Sequence, residues 1–198
     1  MVRKTSGKSR TGIYLAIIVV LVGLISYSII KPFLNWKTYT IDNFITFSYP
    51  SDWHFQNDNF LTLSGNEQLF LISDYNGLLS RQDFSSINQV FLVDGNRELK
   101  TKVQSLDEYA APFLHRCVDG NCLIDTLRYE KNGSSVLELS IRAIKPSFYQ
   151  GERYLFIEGE EYFYEIRVGF FDARGDFGNF LRQKTIDKII NSVTIKGK

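Results

Sequence analysis

Cysteine, histidine and proline are scarce in this chain: two, two and four in 198 residues. With His54 and His115 alone, a histidine-based catalytic or metal constellation has little to draw on. No GxSxG, HExxH, CxxC or glycine-rich phosphate loop occurs. Those absences remove the commonest signatures of acyl transfer, zinc hydrolysis, dithiol exchange and nucleotide binding. We expect no enzyme, and assign no catalytic residue, no cofactor and no metal.

Acid is missing from residues 1–30, which carry Arg3, Lys4, Lys8 and Arg10. Charge of either sign is missing from residues 13–30, IYLAIIVVLVGLISYSII. At about 1.5 Å rise per residue this run makes roughly 27 Å of helix, close to the hydrocarbon thickness of a bilayer. A cleaved secretory signal shares the basic start, but its apolar stretch is about 7–15 residues and ends in small residues. Neither feature fits, and no cysteine closes the run to accept a lipid. A pilin leader fails too, because Gly12-Ile13-Tyr14-Leu15 lacks the early glutamate. The sequence therefore reads as a basic cytoplasmic tail (1–10), a transmembrane helix (11–30), a linker (31–36) and one extracytoplasmic domain (37–198). Positive residues resist translocation, which keeps the amino terminus inside and makes this a single-pass protein of the cell membrane. Residues 31–198 hold 19 basic against 22 acidic residues, a balance that excludes a nucleic-acid surface.

Within the domain, strands are predicted over 38–42 and 44–49, with Asp42-Asn43 as a tight corner. Two more follow at 61–63 and 68–72, joined by Ser64-Gly65-Asn66. Residues 73–96 look least regular, with only a short strand near 90–93. Ser105-Leu106-Asp107-Glu108 is a capping box, opening a helix to about Arg116. Pro112 demands a kink or an early end. LRYEKNGSSVLELSI, 127–141, is a hairpin. A two-residue Asn132-Gly133 loop pairs Leu127 with Glu138, whereas a three-residue Lys131-Asn132-Gly133 loop pairs Leu127 with Leu137 and Leu123 with Ile141. Only the second lines up the apolar residues, so it is the expected register. A further hairpin joins 153–157 to 162–171 around Glu158-Gly159-Glu160. Its second strand sets Tyr162, Tyr164, Ile166, Val168 and Phe170 on one face, and Phe163, Glu165, Arg167 and Gly169 on the other. Glu158, Glu160 and Glu161 do not follow a calcium loop and read as a solvated turn. An apolar helical pattern through Phe180, Ile186 and Ile190 and a short strand at 193–195 close the chain.

An aromatic-alternating strand followed by Tyr-Pro-x-x-Trp, here Phe47, Tyr49, Pro50 and Trp53, resembles the start of the PsbP-like family. That family includes an extrinsic subunit of the oxygen-evolving photosystem, the Ran-binding Mog protein and bacterial envelope proteins. The late hairpin and the helix ending in Ile190-Asn191-Ser192-Val193 match as well, so the likeness covers both ends of 38–195. It implies an α+β fold, an antiparallel sheet flanked by helices on both faces (an α/β/α sandwich), here after a transmembrane helix. On this reading Pro50 ends its strand by lacking a donor, and Trp53 packs under the corner as a structural residue.

Two function classes follow. The favoured one is a membrane-anchored, non-enzymatic binding or assembly module whose partner is another envelope protein. The alternative is a small-ligand or ion carrier, or a weak enzyme, using a pocket between sheet and helix.

Cys117 and Cys122 frame CVDGNC. Outside the cytoplasm, two cysteines around an Asp-Gly turn are expected as a disulfide. Free thiols, or a metal site with His115, are the other readings, the latter short of a fourth ligand. The loop is short, so the bond contributes only about 2 kcal/mol. Mass spectrometry of unreduced protein from its native membrane should recover the two half-cystine peptides joined. Both thiols freely alkylated would rule the bond out.

Overall fold

A computed structural model describes residues 10–56, 67–75, 89–115, 122–143, 149–172 and 179–197. Helix α1 (Arg10–Leu34) belongs to a first compact unit, 1–36, and the sheets and remaining helices to a second, 37–198. The side chains of α1 are described at 12–24 and 26–27. Among the described residues no helix is long and apolar enough to cross a membrane. The segment expected as a transmembrane helix is thus a helix, but the rest of its apolar run, at 25 and 28–30, lies outside the described side chains.

The second unit is a mixed α+β fold built on antiparallel sheets. A small sheet has the order β1-β2-β10, from β1 (Trp36–Ile41), β2 (Ile45–Pro50) and β10 (Thr194–Ile195). A seven-stranded sheet has the order β3-β4-β5-β9-β8-β7-β6. Its strands are β3 (His54–Phe55), β4 (Glu67–Ser73), β5 (Gln89–Leu99), β6 (Cys122–Lys131), β7 (Ser134–Ala143), β8 (Tyr149–Glu158) and β9 (Tyr162–Asp172). Helix α2 (Leu106–Leu114) follows β5, and α3 (Asn179–Ser192) follows β9.

Strand β9 lies fourth of seven and is buried from Phe163 to Phe170, so both of its faces need a covering layer. On one face Leu137, Leu139, Ile141, Tyr154, Phe156 and Phe163 pack against Leu106, Tyr109, Ala110 and Phe113 of α2. Rings meet there edge to face, Tyr109 on Phe156 at 5.6 Å. The opposite face meets α3, where Arg153 pairs with both Asp187 and neighbouring Glu138. The small sheet covers that face too, placing Phe47 of β2 5.2 Å from Phe70 of β4. The expected helices on both faces are therefore supplemented on one side by a second sheet.

Gly95 explains one crossing. It sits opposite Phe70, and a Cβ there would overlap the Phe70 ring. The ring lies flat over bare backbone and reaches Tyr39 at 5.0 Å as well as Phe47.

Two sequence expectations are corrected. The β6–β7 hairpin uses the two-residue turn, with Asn132 and Gly133 at φ 53° and 79° and Leu127 opposite Glu138. A turn with both central residues at positive φ matches the strand twist, and this chemistry outweighs apolar alignment. Leu123 and Leu127 are consequently 54% and 58% exposed. The short strand expected near 90–93 is an eleven-residue strand, β5, while 76–88 of the stretch read as irregular lie outside the described residues. Helix α2 ends at Leu114, the early end expected with Pro112 inside it. Its capping serine accepts from Glu108 N–H, while the Glu108 carboxylate accepts from Gln104 N–H, one residue before the cap. The strand expected at 61–63 lies outside the described residues.

Candidate functional site

Asp42 and Asn43 are the central residues of the β1–β2 turn, at φ 50° and 54°, closed by Phe44 N–H donating to the Ile41 carbonyl at 2.8 Å. Short polar side chains tolerate this left-handed conformation, which is why Asp-Asn serves here. The turn presents the Asp42 carboxylate to Arg97, the third-last residue of β5, at 2.6 Å. Glu67 of β4 grips the same guanidinium with both oxygens, at 2.7 and 2.9 Å. Such fork-to-fork geometry fixes the plane of the arginine as well as its charge. The guanidinium carbon stands 4.5 Å over the Tyr162 ring. Tyr164 donates its hydroxyl to Asp42 at 3.1 Å.

Asp42, Arg97, Tyr162 and Tyr164 line a cleft of about 370 Å³ with Phe44, Glu160, Glu161, Lys196 and Gly197. Lys196 N–H donates to the Phe44 carbonyl at 2.8 Å, so the residues after β10 form one wall. Gly159 makes the β8–β9 turn tight. Its N–H donates to the Tyr162 carbonyl, and a Cβ there would press on the rings of Tyr164 and Phe44. Glu160 and Glu161 are exposed at the rim.

Burial, reinforced by the Asp42 carboxylate, pushes the Tyr164 phenol well above its ordinary range. The hydrogen bonds that Arg97 donates to Glu67 lead the causes that hold it firmly protonated. The site therefore keeps a neutral phenol and a charged arginine at any physiological pH.

The residues singled out in the sequence lie elsewhere. Phe47, Tyr49 and Pro50 are buried in β2, and Trp53 N–H donates to the Pro50 carbonyl at 3.1 Å. The Trp53 ring is 7% exposed and packs 5.4 Å from Phe91. None of the four lines the cleft. His54 and His115 are exposed, far from each other in the element order, on β3 and just past α2. Cys122 opens β6, and Cys117 lies outside the described residues. No free cysteine stands among those described. No group of three or more His, Cys, Asp or Glu is arranged for a metal among the described residues.

Glu160 and Glu161 read from sequence as a solvated turn, and nothing local marks Asp42 or Arg97 as site residues. Asp42 was visible as a turn residue, but its link to Arg97 spans 55 positions and leaves no local signal. The aromatic-rich late hairpin is mainly core, with Tyr162 and Tyr164 at its cleft end. The cleft also lies between turns and a chain end, where a sheet–helix pocket had been expected.

No family model matches the chain, the PsbP-like one included, and no curated protein matches it. Among solved structures it is similar to LpqN of Mycobacterium tuberculosis, described as involved in cell envelope biogenesis. That match has a TM-score of 0.45 and 11% identity, covering 82% of this chain and 91% of that one. It is also similar to a protein from Bacteroides thetaiotaomicron, with a TM-score of 0.39, 10% identity and coverage of 82% and 49%. Both scores are too low to carry an argument about function.

The raised Tyr164 phenol has a measurable consequence. An unfolded tyrosine ionises near pH 10, while this one keeps its proton longer. The stabilisation it gives is complete below about pH 10 and is lost as pH rises towards the folded value. In urea unfolding between about pH 9 and about pH 11.5, parent stability should fall more steeply than that of Tyr164→Phe. Parallel profiles would show that the phenol is not shifted.

Proposed function

We propose that this chain is a membrane-anchored, extracytoplasmic, non-enzymatic binding module of the cell envelope, and that the cleft beside Arg97 is where it binds. The cleft carries the reading. Two hairpin turns shape it, and ion pairs with Asp42 and Glu67 hold Arg97 in place before any occupant arrives; such preorganisation lowers the entropic cost of binding. Its volume falls in the range of about 300–1,000 Å³ usual for ligand sites. That volume also supports the second reading, a small-ligand carrier acting through the same cleft.

Anchoring is supported by α1. Its large apolar side chains between Ile13 and Leu24 are 50–66% exposed, a surface that water disfavours and hydrocarbon accepts. The basic residues before the helix favour a cytoplasmic amino terminus. The PsbP-like resemblance supports the layered sheet-and-helix domain and names no ligand.

Protease added to sealed spheroplasts should digest 37–198 and spare the amino terminus; full protection would reverse the sidedness. A photo-crosslinking residue at position 160 should capture an occupant in native membranes, while one at position 104, by the start of α2, should not. Equal capture at both positions, or none at 160, would remove the cleft from the proposal.

A further inference from the structure

We infer that Asn132 is a site of deamidation, and that the reaction unlatches the cleft wall formed by the residues after β10. Asn132 and Gly133 are both exposed at the tip of the β6–β7 hairpin, so water reaches them. The last ladder pair is Lys131 with Ser134, which leaves the Gly133 N–H outside the ladder. Glycine has no Cβ to shield that nitrogen. Its attack on the Asn132 side-chain carbon forms a C–N bond and closes a five-membered imide. The amide nitrogen leaves as ammonia, taking the Gly133 proton. Water then opens the ring and leaves aspartate or isoaspartate. Only water is consumed.

The fold sets both the brake on this reaction and its consequence. Asn132 Nδ2 donates to the Ile195 carbonyl at 2.6 Å, across 63 positions. The side-chain carbon cannot turn onto Gly133 until that bond breaks, so the reaction proceeds through the unlatched state. Afterwards a carboxylate faces the Ile195 carbonyl, acceptor against acceptor. The turn itself tolerates aspartate, because Asp42 holds the same left-handed conformation, at φ 50° against 53°. The loss therefore falls on the latch rather than on the hairpin. Lys131 remains as a second donor, to the Val193 carbonyl at 2.6 Å. β10 has only two ladder pairs with β2, so one lost donor matters there. Just beyond it, Lys196 N–H donates to the Phe44 carbonyl at 2.8 Å, and Lys196 and Gly197 line the cleft.

The test uses the full chain in detergent micelles and reads the wall itself, independently of what the cleft binds. Hydrogen exchange at the Lys196 N–H should run roughly tenfold faster in Asn132→Asp than in the parent, while β9 amides keep their protection. Asn132→Gly keeps the turn, removes the donor and should show most of the same gain. During long incubation at mildly alkaline pH, peptide mass spectrometry should find the amide-to-acid mass change at position 132, slowly in the parent. Thr194→Pro, which withdraws a donor from β10, should hasten it. An isolated peptide spanning 127–137 should react fastest. Unchanged Lys196 exchange in Asn132→Asp would overturn the latch, and so would equal loss of protection throughout β9. Equal reaction in the parent, Thr194→Pro and the peptide would overturn the brake. No acid at position 132 in any of the three would overturn the site.

Discussion

Asp94 and Arg167 face each other across β5 and β9 in the middle of the large sheet, 2.6 Å apart and both buried. The cleft depends on this pair. Without it, Asp94-Gly95-Asn96-Arg97 is turn-forming sequence, and a buried, unpaired Asp94 would oppose the ladder that carries Arg97 to the cleft. Burial pushes the Asp94 carboxyl above its ordinary range, and the Arg167 guanidinium pulls it back only in part. Arg167 also suffers from burial, but Asp94, Tyr154 and Glu152 outweigh that and keep it charged. Tyr154 in turn donates to Glu152 at 2.6 Å, and Asn96 leans on Asp94 at 3.4 Å. A buried pair need not add net stability over apolar residues, yet each partner becomes indispensable to the other. Its effect here is to specify register: slip β5 by one residue and Asp94 moves to the opposite face.

Turn chemistry completes the positioning. Asp42-Asn43 and Asn132-Gly133 are two-residue turns with both central residues at positive φ. The second also reaches the carboxy-terminal segment, because Asn132 donates to the Ile195 carbonyl and Lys131 to that of Val193, each at 2.6 Å. β10 therefore lies between two anchors, its pairing with β2 and these two donors. The wall formed by Lys196 is held by contacts made far away in sequence.

Much of the fold was legible where one face of an element is apolar and local. The β1–β2 corner, the capped helix α2, the β8–β9 hairpin with its alternating faces and the late helix all announce themselves by period or by cap. Legibility failed where a non-local partner decides the outcome. β5 reads from sequence as a short strand at 90–93 because Asp94, Asn96 and Glu98, all buried, depend on residues of other strands. Gly95 carries no strand signal of its own, yet it is the space that Phe70 needs. The β6 register was misjudged because apolar alignment was ranked above the Asn-Gly turn, and a strand at the edge of the described sheet can leave leucines exposed. The cleft escaped for the same non-local reason. Its residues come from β5, β9, the β1–β2 and β8–β9 turns and the segment after β10, and none of these segments resembles a site by itself.

The central claim is that the Asp94–Arg167 pair makes β5 a full strand and so places Arg97. Urea unfolding of the full chain, comparing Arg167→Met with Asp94→Leu/Arg167→Met, tests it directly. Removing one partner leaves a buried, unpaired charge, and the single variant should lose about 3–5 kcal/mol. The double variant should regain most of that loss, since the charge and its partner leave together. An Arg167→Met protein as stable as the parent would contradict the account.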